Sequence, residues 1–345
     1  MVHVYNDHSE PFNIFSGVRQ GAIASPVLFN FIIDWVMEMA VSHCYNHNIS
    51  IGFPVSQNHI TDLAYADDIA LLSHDESSMQ FFLDSVIFFG SQVGLAVNPS
   101  KCKVLYSSIA CPNISVNGNV LENVDSFCYL GSMIASDGSS DNDINIRIGK
   151  ASSVFNSLKN CLFSRSDISL SLKFRVYCAS VRSVLLYGSE SWPLNRANLS
   201  RCQSFELRCL RNILHIRWDD FICNDSIYDM FHQSLHLKDI IRQKQLIWFG
   251  HVLRMNDNRF PRSALFFSKL PHWRRPSGGL RHSWKHHIHK LCTPLTDHVH
   301  FFLGSHRDWL VDGSVWLSYL HDLASNRQQW KACVSDMISS SHGTS

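Results

Sequence analysis

Between Ser25 and Met39, apolar residues fall at Leu28, Phe31, Ile32, Trp35, Val36 and Met39. That three-to-four-residue spacing predicts a helix with one buried face. Ser25 stands where an N-cap is needed, and Pro26 at the first helical position, where its missing N–H costs nothing. Met79, Phe82, Leu83, Val86 and Phe89 mark a second amphipathic helix, closed by Gly94. Two apolar runs lie between the helices, Ile60 to Ala64 and Ile69 to Leu72, separated by Tyr65-Ala66-Asp67-Asp68; this reads as strand, tight turn, strand. Val2 to Tyr5 and Pro11 to Ile14 suggest an earlier hairpin turning at Asn6-Asp7. A strand is expected from Lys103 to Ser107, a hairpin at Asn117-Gly118, and a strand from Phe127 to Leu130.

After Asp137 the period changes to helical. Ile144, Ile148, Ala151, Phe155 and Leu158 mark one helix, beside Arg147, Lys150 and Lys159. Further helices are expected over Leu172 to Leu186, Leu199 to Ile216, His236 to Met255, and about Val315 to Ile338. Pro261, Pro271 and Pro276 make the segment 258–290 read as loop. The pattern as a whole is α+β: an antiparallel sheet backed by two helices, then an all-helical part.

Composition sharpens this division. The chain has 345 residues and a net charge of +1, but residues 1–150 carry 15 Asp/Glu against 5 Lys/Arg (−10), whereas residues 151–345 carry 25 Lys/Arg against 14 Asp/Glu (+11). The stretch from Asn258 to Lys290 holds eight Lys/Arg and no acid. An acidic front with a basic back fits a cation-binding part joined to a part that grips a polyanion. No run of about 18 apolar residues and no signal-peptide pattern occur, so an intracellular chain without a membrane span is expected. Eleven cysteines without a C-x-x-C pair suggest free thiols.

Adjacent Asp67 and Asp68 admit two readings: favoured turn residues, or paired carboxylates collected for a divalent cation. The histidines His282, His286, His287 and His289, with Cys292, His298 and His300, have no standard zinc spacing. Trp248 and Trp273, among basic residues, could stack on unpaired bases, although core is the preferred place for Trp248.

The order of motifs is more specific. Gly17-Val18-Arg19-Gln20-Gly21 with Ser25-Pro26, then Tyr65-Ala66-Asp67-Asp68, then Gly94-Leu95 with Val97-Asn98 and Lys101, then Tyr129-Leu130-Gly131, resembles the reverse transcriptase of a non-LTR (LINE-type) retrotransposon, from palm motif B to motif E. Leu186-Tyr187-Gly188, Trp248-Phe249-Gly250-His251, Arg275-Pro276 and Asn326-Arg327 are similar to the C-terminal part of such elements. The resemblance implies a partial polymerase palm over 1–135, a helical thumb over 136–257, and a basic, His-rich C-terminal region over 258–345. It makes Asp67 and Asp68 catalytic ligands of Mg²⁺ or Mn²⁺, and Lys101 a candidate proton donor to the leaving group. Arg19, Gln20, Gly21 and Tyr65 would border nucleotide and template. Tyr129, Leu130 and Gly131 would form the primer grip, and Arg147, Lys150, Arg274, Arg275, Arg281 and Lys285 would follow the nucleic-acid backbone. RNA template, DNA primer and dNTP are the implied partners.

The chain departs from the family pattern in one important way. The third carboxylate, on the motif A strand before motif B, has no counterpart in the residues preceding Gly17, and Asp7 reads as a turn residue. The metal pair is therefore expected to be incompletely liganded. Little or no polymerase activity is expected without a missing N-terminal part or a partner chain. The hairpin edge beside motif A is also expected to be unpaired. Two other readings compete: a non-catalytic RNA/DNA-binding remnant, and a palm-like hydrolase or cyclase, against which the Gly17 to Gly21 loop and Tyr129-Leu130-Gly131 argue.

Overall fold

The computed structural model describes residues 3–4, 7–8, 10, 21–55, 58–107, 111–232, 235–266, 284–285, 287–292 and 313–340. They form two compact units, Met1–Val124 and Asp125–Ser345.

In the first unit, β1 (His3–Val4) and β2 (Asp7–His8) pair antiparallel, with Asp7 opposite Val4. Asp7 therefore lies in a strand and not in the turn; the second run, Pro11 to Ile14, lies outside the described residues. Helix α1 (Ser25–Asn46) starts at the expected serine, with Pro26 in its first turn. Ala24 is the capping residue and gives no side-chain hydrogen bond, so Ser25 is helical and not the cap. Helix α2 (Glu76–Gln92) is capped by Asp75, whose carboxylate accepts from Ser78 N at 2.8 Å. Their shared core holds Ile33, Val36, Met37, Ala40 and Cys44 against Phe82, Val86 and Phe89. By length and composition α1 could cross a membrane. It carries Asp34 and Glu38 and packs one face against α2.

Between the helices, β3 (Phe53–Val55) pairs with β4 (Asn58–Ile60), and β5 (Asp62–Tyr65) with β6 (Asp68–Leu71). After α2, β7 (Lys103–Leu105) lies parallel to β10 (Glu122–Val124). The hairpin β8 (Ser115–Val116) to β9 (Asn119–Val120) sits within the connection, long enough for the crossover a parallel pair requires. Its turn is the expected Asn117-Gly118, both at positive φ (50° and 80°). A single antiparallel sheet was expected; among the described residues the strands instead make separate two-stranded ladders, one of them parallel.

The second unit opens with β11 (Ser126–Tyr129) and β12 (Ser132–Ala135), an antiparallel hairpin, followed by α3 (Asp141–Leu158). The helix expected from Leu172 starts earlier: α4 (Leu170–Val176) runs through a π-helical turn, Tyr177–Arg182, into α5 (Ser183–Leu185). Then come α6 (Arg196–Leu214), α7 (Asn224–Met230), α8 (Leu237–Leu253) and α9 (Phe260–Phe266). Helix α9 overturns the loop expected there, because Pro261 falls in a first turn, where proline removes no helical bond. The last helical stretch is two helices, Gly313–Ser325 and Arg327–Ser340. Asn326 divides them, its side-chain Oδ1 accepting from Gln328 N and Gln329 N.

One core gathers Ile144, Phe155, Phe163, Tyr177, Leu185, Trp192, Phe205, Leu210 and Tyr228. A second joins Leu246 and Phe249 of α8 to Ile288, Cys292, Leu320, Trp330 and Val334. Gly250 makes that contact possible: a Cβ there would run into the Trp330 indole, which donates to Leu246 O at 2.9 Å. All eleven cysteines are free.

Candidate functional site

Asp67 and Asp68 sit at the tip of the β5–β6 hairpin. Tyr65 pairs with Asp68, leaving the two-residue turn Ala66-Asp67. Ala66 has φ +53°, a left-handed conformation that a glycine normally supplies, so the turn stores strain at the candidate catalytic position. Ile69 and Leu71 pack toward the core, and by strand alternation Asp68 points to the opposite face, beside its cross-strand partner Tyr65. Tyr65 is 66% exposed, and Asp67 and Asp68 are exposed. Both carboxylates thus stand in the open without a protein counter-charge: among the described residues neither joins an ion pair. Nor does any group of three or more His, Cys, Asp or Glu suited to a metal occur among them. Hard oxygen donors fit Mg²⁺, which keeps most of its waters and binds through one or two carboxylates plus phosphates. The two aspartates fit such a loosely held ion and do not by themselves form a two-metal cage.

Lys101 follows a turn in which the Asn98 side-chain oxygen accepts from Ser100 N and Ser100 Oγ. Its side chain is exposed and makes no ion pair with Asp67 or Asp68. Gly21 is exposed at φ +85°. Arg19 and Gln20 lie outside the described residues, as do Arg274, Arg275, Arg281 and Trp273.

The second unit holds a more elaborate arrangement. Tyr129 pairs with Ser132 across the two-residue turn Leu130-Gly131, whose φ values are +47° and +82°. That is the geometry of a type I′ turn, which leucine adopts only when its surroundings compel it. Here the surroundings seize both carbonyls. Tyr187 Oη donates to Leu130 O at 3.0 Å, and Arg147 donates to Gly131 O. The Arg147 guanidinium also lies 4.3 Å from the centre of the Tyr187 ring and 3.8 Å from the Asp143 carboxylate. Asp143, buried like Arg147, accepts from Met133 N and from Trp192 Nε1, both at 2.9 Å.

This corrects the role expected of Arg147. It is 5% exposed and its charge is spent inside the protein, so it is not a phosphate contact. Lys150, one turn on along α3, is exposed. Lys285 is half-buried, and burial lowers its pKa. Trp248, preferred for the core, is 38% exposed and lies beside His251. Of the histidine group, His287 contacts Gln245 Oε1 at 3.0 Å and Cys292 is wholly buried, its thiol pushed well up by that burial; His282, His286, His298 and His300 lie outside the described residues.

Beside the Leu130-Gly131 turn lies a cleft of about 820 Å³, lined by Tyr129, Leu130, Tyr187, Arg182, Glu190 and Lys244, among others. Arg182 reaches it from the π-helical turn, and its guanidinium donates to buried Glu206 at 2.8 Å. Burial pushes the Glu206 carboxyl up, against the pull of Arg182 and of the Tyr228 hydroxyl. Lys244 Nζ donates to Glu190 at 2.8 Å and to Leu186 O at 3.1 Å. Sequence reasoning missed Asp143 and Lys244; the four-residue spacing of Asp143 and Arg147 was the available signal.

Residues 1–134 match the family of reverse transcriptases (RNA-dependent DNA polymerases). A putative uncharacterized transposon-derived protein of Caenorhabditis elegans is 26% identical over 297 residues, which are 81% of this chain and 97% of that protein. The RNA-directed DNA polymerase of the mobile element jockey from Drosophila funebris is 23% identical over 59% of this chain and 22% of its own length. The Pol polyprotein of the type-1 retrotransposable element R2 from Popillia japonica is 24% identical over 59% of this chain and 33% of its own length. The chain thus spans nearly all of the nematode protein but a third or less of these polymerases. Together with the ordered motifs around Asp67 and Tyr129, these matches show a reverse transcriptase domain over residues 1–134 and support a non-LTR reverse transcriptase.

Proposed function

We propose that this chain holds an RNA template paired with a DNA primer and extends the primer little or not at all by itself. One observation carries this reading: Asp67 and Asp68 stand together on an exposed strained turn, two hard-oxygen donors that fit one loosely held cation. In this reading residues 1–135 serve as a partial palm, 136–257 as a thumb, and 258–345 as a basic tail. Mg²⁺ or Mn²⁺, when bound, supplies charge stabilisation at the phosphoryl group. Asp67 and Asp68 present carboxylate oxygens to it, and Lys101 Nζ holds the proton for the leaving pyrophosphate. Arg19, Gln20, Gly21 and Tyr65 border the dNTP and template, and Tyr129, Leu130 and Gly131 hold the primer. Lys150, Lys285, Arg274, Arg275 and Arg281 follow the phosphates.

The test is primer extension on an RNA template with Mg²⁺ or Mn²⁺. Expected is background incorporation that Asp67→Ala leaves unchanged, together with duplex binding that persists in EDTA and weakens steeply with salt. Incorporation that Asp67→Ala abolishes overturns the reading. A second reading, a non-catalytic nucleic-acid-binding remnant, is favoured by charge: Asp125 to Ser345 carry 27 Lys/Arg against 18 Asp/Glu, net +9. Adding the upstream palm and fingers of a longer relative in trans separates the two, because a polymerase piece gains incorporation and a remnant does not.

A further inference from the structure

We propose that the Tyr187 ring is a stacking platform for a base of the bound primer strand, and that Arg147 is the positioning residue that holds it there. The inference rests on the primer-binding reading above and adds the recognition element. Tyr187 is 50% exposed and lines the cleft beside Leu130-Gly131. A tyrosine so open to water would ordinarily keep its side-chain freedom. This one is held at two places, by its hydroxyl bond to Leu130 O and by the guanidinium stacked 4.3 Å from its centre. The guanidinium is in turn fixed by Gly131 O and Asp143. An exposed aromatic whose ordering cost is met before any ligand arrives is a preorganised contact.

The cleft favours a base over a phosphate. Its volume, about 820 Å³, lies within the range of small-ligand pockets, roughly 300–1,000 Å³. Leu130, Leu186 and Ile240 give it apolar walls. Its two cations are already matched, Arg182 by Glu206 and Lys244 by Glu190. A phosphate there would compete with carboxylates, whereas a flat base needs only a ring face, and every base has one. The excess of nine positive charges in this unit supplies the attraction for the strand.

The experiment uses the full chain and an RNA template–DNA primer duplex carrying 4-thiothymidine at the primer 3′ end, irradiated in EDTA, with the crosslinked peptide mapped. The expected crosslink is at Tyr187. Tyr187→Ala should weaken binding roughly tenfold without changing its salt slope, because stacking releases no counterions. Arg147→Met should lower the Tyr187 crosslink per bound duplex, and Arg147→Lys should restore part of it, a rescue that mere loss of packing would not give. The wild-type crosslink needs no variant to fold. Crosslinking at Tyr129 but not Tyr187, with Tyr187→Ala binding normally, overturns this inference and leaves the primer-binding reading standing. No crosslink between residues 126 and 191, with Tyr129→Ala binding normally, overturns both.

Discussion

The two units solve the problem of an amphipathic chain differently. In the second, charged and aromatic groups are buried and matched: Asp143 with Arg147 and Trp192, Glu206 with Arg182 and Tyr228. In the first, α1 leaves Val27, Leu28, Phe31, Trp35 and Met39 exposed, Phe31 by 68%, and the outer face of the β5–β6 hairpin exposes Leu63 and Tyr65. The unit bearing the candidate catalytic acids thus leaves one face of α1 uncovered, whereas the second unit exposes Trp218 and Phe221 by 84% and 88% but buries the matched pairs named above. Preorganisation resides in the second unit and strain without support in the first.

Several changes would break or sharpen the contrast. The largest effect is expected from Asp143→Leu, which strands the buried Arg147 guanidinium. A loss of about 3–5 kcal/mol is expected for breaking such a pair, read from the urea midpoint of the transition that reports on Trp192. Trp192→Ala, emptying a site 2% exposed, belongs in the same range, about 3–5 kcal/mol. If either proves nearly silent, the second unit is not the tightly coupled one. Asp75→Ala, which removes the α2 cap in the first unit, should cost about 1 kcal/mol. Its hydrogen bonds from Ser77 and Ser78 lower the Asp75 pKa. Its stabilising contribution is therefore present above the unfolded value near 3.8 and is lost as pH falls through the lowered folded value. An acid titration of stability in which the wild type and Asp75→Ala stay parallel down to low pH would contradict that cause. The smallest effect is expected from Phe31→Ser, within about 0.5 kcal/mol because the ring is already wet. A large loss of stability would mean that the exposed face is covered after all.

Much of the local structure was legible in the residues. Apolar spacing placed α1 and α2, the Tyr65-to-Asp68 turn emerged as a hairpin, and Asn117-Gly118 made the expected turn. Misreadings arose where a neighbour distant in sequence decided the outcome. Arg147 has the polarity of a phosphate contact but is turned inward by the Gly131 carbonyl, 16 positions away, although Asp143 one turn before it gave a local signal. Trp248 shares α8 with buried Phe249, yet lies outward because the Trp330 side of the helix is the packed one. Leu130 gives no sign in its own chemistry that it will adopt positive φ.

The sequence alone determined the resemblance to reverse transcriptases, the order of the motifs, the opposed charges of front and back, and the hairpin that carries Asp67 and Asp68, because period and turn chemistry act over a few residues. Tertiary structure decided which charges face water, which face of each helix is covered, and that Leu130-Gly131 is clamped by Arg147 and Tyr187. The clamp depends on partners 16 and 57 positions away, and no short-range pattern encodes which partner will arrive.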